Sequence, residues 1–97
     1  MKTLEKTYTL FSPAAGGREK PVGEIDAVVS RVSAAEEQTD GVSRSRESAV
    51  ACTAANADVR RGMSIRRGGE RWDVLGASRG GRMTVLRLER TVMDGEV

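Results

Sequence analysis

The sequence predicts an all-β fold, a small antiparallel β-barrel of about six strands. Three observations carry the prediction. Short stretches with apolar residues at alternate positions recur along the chain, as in Ile25-Ala27-Val29 and Trp72-Val74. Turn-forming residues separate them, above all the glycine pairs Gly68-Gly69 and Gly80-Gly81 in RRGGERWDVLGASRGGRMTVLRLER, residues 66–90. The 97 residues allow one domain, spanning 1–97, and a sheet this small exposes its edges unless it closes on itself.

The elements follow in order. Residues 3–11, TLEKTYTLF, set Leu4, Tyr8 and Leu10 on one side with Lys6, and threonines on the other; threonine and tyrosine suit a strand. Residues 12–22 hold both prolines and a glycine pair and read as a loop. Residues 24–34, EIDAVVSRVSA, form the second strand, with Ile25, Ala27 and Val29 on one face and Asp26, Val28, Ser30 and Val32 on the other. Ile25, Val28, Val29 and Val32 also fit helical spacing, and the β-branched content favours strand.

Residues 35–47, AEEQTDGVSRSRE, are polar and without period, so they read as a long exposed loop with one helical turn over 34–38. Loops of about a dozen residues are uncommon in compact domains and are usually functional or disordered. Residues 48–55, SAVACTAA, are small and apolar, with Val50, Cys52 and Ala54 as candidate core positions; alanine favours helix and weakens the strand assignment. Met63 and Ile65 mark a short strand, Gly68-Gly69 a tight turn, Trp72 and Val74 a strand, and 78–81 a second turn. Met83 to Val92 form the last strand, and 93–97 a flexible tail.

Composition limits the chemistry. The chain is 3% aromatic and 38% apolar, enough for a thin core and suggestive of a domain that leans on neighbours. It has no histidine, hence neither the commonest general base nor the commonest metal ligand. One cysteine, Cys52, excludes an internal disulfide and a zinc-ligand cluster, and with no histidine to activate it reads as core filler. No apolar run approaches the roughly 18 residues of a membrane helix, and the N-terminus lacks a secretory h-region, so the expectation is a soluble chain made in a reducing compartment. Neither glycine pair fits a Walker A or dinucleotide motif, because strand-like sequence follows both. Trp72, a lone aromatic, reads as core anchor rather than base-stacking platform.

Charge is uneven. Residues 60–90 carry nine arginines and three acids, a net of +6, while the whole chain is only +2. Arginine in place of lysine suits bidentate pairing with carboxylate or phosphate. The bland reading is a solvated sheet face; the sharper one is an interface, or a surface that faces nucleic acid, over Arg60, Arg61, Arg66, Arg67 and Arg71.

The order of elements, and above all RRGMSIRRGGERWDVLGASRGGRMTVLRLERT, resembles the head-closure, or stopper, proteins of tailed bacteriophages, also called head–tail joining proteins. The matching positions are Ile65, Gly69, Trp72, Val74, Arg82, Leu86 and Leu88. Ile65, Gly69, Trp72, Val74, Gly81, Leu86 and Leu88 are the expected core and turns. The resemblance implies a virion structural protein without catalysis or cofactor, made in the bacterial host cytoplasm and located at the head–tail interface. It implies a homo-oligomeric ring, hexamer or dodecamer, beneath the portal or its adaptor ring and against the tail terminator, with packaged double-stranded DNA in its lumen and no membrane contact. In that family the loop between the second and third strands points into the channel. The corresponding residues here are Glu36, Glu37, Asp40, Arg44, Arg46 and Glu47. The alternatives are a tail terminator or other connector ring protein, and a small barrel-type nucleic-acid-binding module.

Overall fold

A computed structural model of the chain describes residues 4–39 and 42–94, with side chains over 4–33 and 45–91. Among the described residues six strands follow one another: β1 (Lys6–Pro13), β2 (Glu19–Thr39), β3 (Val42–Ala54), β4 (Ser64–Arg67), β5 (Glu70–Gly80) and β6 (Met83–Asp94), with one short 3-10 turn at Ala15–Gly17. They close into an antiparallel barrel in the order β1-β2-β3-β6-β5-β4. The expected all-β barrel of six strands is the fold observed.

The interior follows from side-chain alternation. Tyr8, Leu10, Ile25, Ala27, Ile65, Trp72, Val74, Leu86 and Leu88 point inward and are buried. Ala49 and Ala51 of β3 stand directly opposite Leu88 and Leu86 of β6, so small residues make room for large ones across the narrow bore. Val59, from the connection between β3 and β4, joins the same cluster. Buried hydroxyls are satisfied: Thr53 Oγ1 donates to the Asp26 carbonyl at 2.7 Å and Thr84 Oγ1 to the Ala55 carbonyl at 3.4 Å.

Two turns rest on backbone that only glycine adopts cheaply. Gly68, between β4 and β5, has φ +59°, and Gly81, between β5 and β6, has φ +64°. Gly69 follows Gly68 in the turn with ordinary φ. The second turn falls on Gly81-Arg82, later than the expected 78–81, because β5 keeps its ladder to β6 as far as Gly80↔Met83.

Four further expectations are corrected. Residues 35–39 and 42–47 are strand, not loop. Ala34 to Thr39 pair with Val42 to Glu47 as one continuous hairpin, and β6 flanks it through Asp94. The hairpin extends past the last pairings of β2 with β1 and of β6 with β5, and its order comes from backbone ladders, which composition does not report. Asp40 lies outside the described residues. The tail is shorter than expected as well, since Met93 and Asp94 pair with Arg44 and Ser43, and 95–97 lie outside the described residues. Finally, Ala49, Ala51 and Thr53 face inward, not Val50, Cys52 and Ala54. The leucines opposite β3 leave space only for the smaller set, and the Thr53 hydroxyl finds its acceptor on β2. The loop at 12–22 also shrinks, because β1 runs to Pro13 and β2 starts at Glu19.

The outcome is a barrel with an arm. The radius of gyration is 14.5 Å and the extents are 45 × 39 × 22 Å, against about 12.5 Å for a compact domain of this length. Truncating the central residue, Trp72→Ala, is expected to cost about 3–5 kcal/mol, and overpacking with Ala51→Leu about 1–3 kcal/mol. Cys52→Val, on the outer face, is expected to change stability by less than about 0.5 kcal/mol. Urea unfolding followed by tryptophan fluorescence measures all three.

Candidate assembly surfaces

Where the arm leaves the barrel, inward positions change from apolar to charged. Arg90 follows Leu88 on the inner face of β6 and pairs with Glu47, directly across on β3; both side chains are 18% exposed. The Arg90 guanidinium lies 4.4 Å from the Trp72 ring centre, a cation–π contact. The indole Nε1–H donates to Glu70 Oε2 at 2.6 Å, and Glu70 also holds the Tyr8 hydroxyl. Burial, and then the charge of Glu70, push the Tyr8 phenol above its ordinary value. This polar lid finishes the hydrophobic interior and orients the base of the arm.

A second cluster sits on the outer face around Glu19, the first residue of β2. Arg66 and Arg71, opposite each other on β4 and β5, both bond its carboxylate, Arg71 in bidentate fashion at 2.9 and 3.2 Å. Ser64 Oγ donates to the same group at 3.2 Å, and Arg71 also reaches Asp73 at 3.1 Å. The Arg66 guanidinium rests 4.0 Å from the Phe11 ring centre. Burial alone would raise the Glu19 carboxyl; hydrogen bonds from Arg71 and Ser64 with the two positive charges outweigh it and hold the group below the usual glutamate range.

An open groove of about 1020 Å³ runs between the first half of β2 and the connection that follows β3. Val22, Glu24 and Asp26 line one side, Asp58, Arg60 and Met63 the other, and Met83 one end. Asp58 bonds Arg60 at 3.1 Å, and Arg79 closes over to the Ala57 carbonyl at 3.2 Å. Among the described residues no group of three or more acids or cysteines is placed to hold a metal. No helix there is long and apolar enough to cross a membrane.

The structure disperses the site residues expected from the sequence. Glu36, Glu37 and Arg44 occupy ladder positions in the arm, Glu37 directly across from Arg44. Arg46, also on the arm, is exposed. Glu47 is engaged by Arg90 at the arm's root. Of the five basic candidates, Arg66 and Arg71 converge on Glu19, and Arg60 is held by Asp58. Arg61 and Arg67 are exposed and lack a carboxylate within reach among the described residues. The organising acids Glu19 and Glu70 escaped sequence reasoning. Glu19 sits in a stretch read as loop, and only the local excess of arginine hinted that a carboxylate must sit among them. Ile65, Trp72, Val74, Leu86 and Leu88 all lie in the core as expected.

No family model matches the chain, and no curated protein matches it. Among solved structures, a chain of the virion of a native gene transfer agent (GTA) particle has the same fold. The TM-score is 0.73 at 17% identity, over 97% of this chain and 100% of that one.

Because its carboxyl is held below the ordinary value, Glu19 adds stability above about pH 4.5 that is lost as the pH falls through the lowered folded value. Glu19→Gln is expected to lower stability at neutral pH and to flatten this acid limb, so that variant and parent converge below it. Urea midpoints measured from pH 7 down to pH 3 check both.

Proposed function

We propose that this chain is a structural subunit of the head–tail connector of a tailed-phage-like particle. It forms a ring below the portal or its adaptor that closes the DNA channel and docks the tail. The observation that carries the reading is the end-to-end likeness of fold to a chain of a gene transfer agent virion. A match that covers 97% of one chain and 100% of the other includes both barrel and arm.

The physical features agree with the reading. A barrel closed by short ladders and plugged by Trp72 is a rigid body, as a ring subunit must be. The arm of β2, β3 and β6 extends a sheet beyond it whose sequence is polar and carries charges of both signs. Repeated around a channel, such arms meet one another and the DNA. Single exposed ion pairs contribute only about 0–1 kcal/mol, so an arm of this kind closes by repetition and yields to force.

A free-standing nucleic-acid-binding module is less well supported. Three of the five arginines that suggested it are bonded to acids of their own chain.

In cells that produce the particle, loss of this chain is expected to leave heads that release their DNA and fail to join tails, visible by electron microscopy. Native mass spectrometry of the purified chain, alone or with portal and adaptor, is expected to show a hexamer or dodecamer; a strict monomer under both conditions overturns the ring. Replacing residues 36–45 by an Asn-Gly turn is expected to keep the barrel's thermal unfolding within a few degrees and empty the heads. Full retention of DNA overturns the gating role.

A further inference from the structure

The groove of about 1020 Å³ lies at the end of the barrel away from the arm, and the path of the chain explains it. β2 pairs with β1 from Glu19 onward, but β3 joins its other side only at Ala27↔Thr53. β3 ends at Ala54, where a turn closed by the Ala57 N–H on the Ala54 carbonyl at 3.1 Å takes the chain off the sheet. The chain is then tied to β5 instead, through Gly62 N–H on the Val74 carbonyl at 3.1 Å and Val74 N–H on the Met63 carbonyl at 2.9 Å. The first half of β2 is left with one bare edge. Among the described residues no backbone bond crosses from it to residues 55–63. Pro21 has no N–H, and the ladder to β1 skips Val22, so the usable edge is residues 23–26, about 13 Å of extended chain.

Two kinds of side chain line this edge. Val22 and Met83, 47% and 44% exposed, are among the large apolar side chains that the barrel leaves in water. Acids surround them: Glu24 and Asp26 on β2, Glu5 just before β1 and Asp58 on the far wall. Against these four stand Arg60, which Asp58 already holds, and Arg82. Glu24 is exposed and has no cationic partner among the described residues. The groove is thus locally acidic in a chain whose net charge is +2. We infer that it docks an extended, basic segment of a different polypeptide. The segment adds as a short strand to the bare edge of β2, sets an apolar side chain against Val22 and Met83, and meets Glu24 and Asp26 with lysine or arginine. Strand addition of this kind takes its affinity from main-chain bonds and its specificity from the side chains beside the edge. The same acids repel the phosphates of nucleic acid. The inference goes beyond the ring reading, because the groove lies at the opposite end of the barrel from the arm and needs no second copy.

A fluorescein-labelled peptide of alternating lysine and valine tests the site in the full chain. Anisotropy reads its affinity, and hydrogen–deuterium exchange reads where it sits. The peptide is expected to bind, to slow exchange over residues 22–26, and to weaken as salt is raised. A peptide with glutamate in place of lysine is expected to bind at least about tenfold more weakly, and the double variant Glu24→Lys with Asp26→Lys to weaken the basic peptide about tenfold. Both acids are exposed, so the variant is expected to unfold thermally within a few degrees of the parent. Val22→Thr, which changes no charge, is expected to weaken binding several-fold. Equal binding of the acidic peptide, or binding that both variants leave unchanged, overturns the inference, and so does no binding at millimolar protein. Protection confined to the arm overturns it as well. Protection of residues 22–26 that grows with protein concentration in the absence of peptide makes a second copy the occupant, and overturns it. Whether native mass spectrometry shows rings is independent of each of these outcomes.

Discussion

The barrel closes through β4, four residues long. Three residue pairs join it to β1 and four to β5, whereas β2 and β3 share twelve. So few backbone bonds do not hold a barrel shut by themselves. Ile65, in the middle of β4, is fully buried between Leu10 and Trp72. On the outer side, Arg66 from β4 and Arg71 from β5 are tied to Glu19 of β2, which spans β1 from outside. Apolar contact inside and a charged clamp outside reinforce the seam where the ladder is shortest. The arrangement of the other strands, and the direction in which the arm leaves, depend on that seam staying closed.

The sequence was most legible where each strand separates an apolar interior from water. In β4, β5 and β6 alternation and glycine turns act together, and Ile65, Trp72, Val74, Leu86 and Leu88 were identified as interior. In β3 both faces carry small, mostly apolar residues, so alternation alone names no inside. There the choice between Ala49-Ala51-Thr53 and Val50-Cys52-Ala54 is made by the leucines of β6, a partner that only the fold supplies. In the arm, pattern vanishes altogether. A backbone ladder forms without any apolar alternation in the sequence, so residues 35–47 look by composition like a loop. Acids were the least legible part of the candidate site, because Glu19 and Glu70 matter through what surrounds them and neighbours in sequence do not announce it.

The use of charge separates assembly from ligand capture. Arginine is rich in this chain, yet Glu19, Glu47 and Asp58 each engage one or more guanidinium groups internally. A guanidinium that already forks onto a carboxylate offers phosphate much less than a free one. The net charge of the barrel therefore overstates its appetite for nucleic acid. What the internal pairs supply is orientation: they set the seam, the lid over Trp72 and the root of the arm. Arg61, Arg67 and Arg87 remain on the outer surface, spread over different strands. Scattered single cations suit contact with several neighbours better than a continuous track along a phosphate backbone.

The same logic bears on why the arm is a sheet rather than a loop. A flexible loop of this length would lose a great deal of conformational freedom on meeting any partner, about 1–2 kcal/mol per residue fixed. A hairpin already laddered to β6 has lost most of that freedom in the single copy. Whatever surface meets the arm finds its strands already in place, so the cost of contact falls mainly on desolvation and little on ordering the chain.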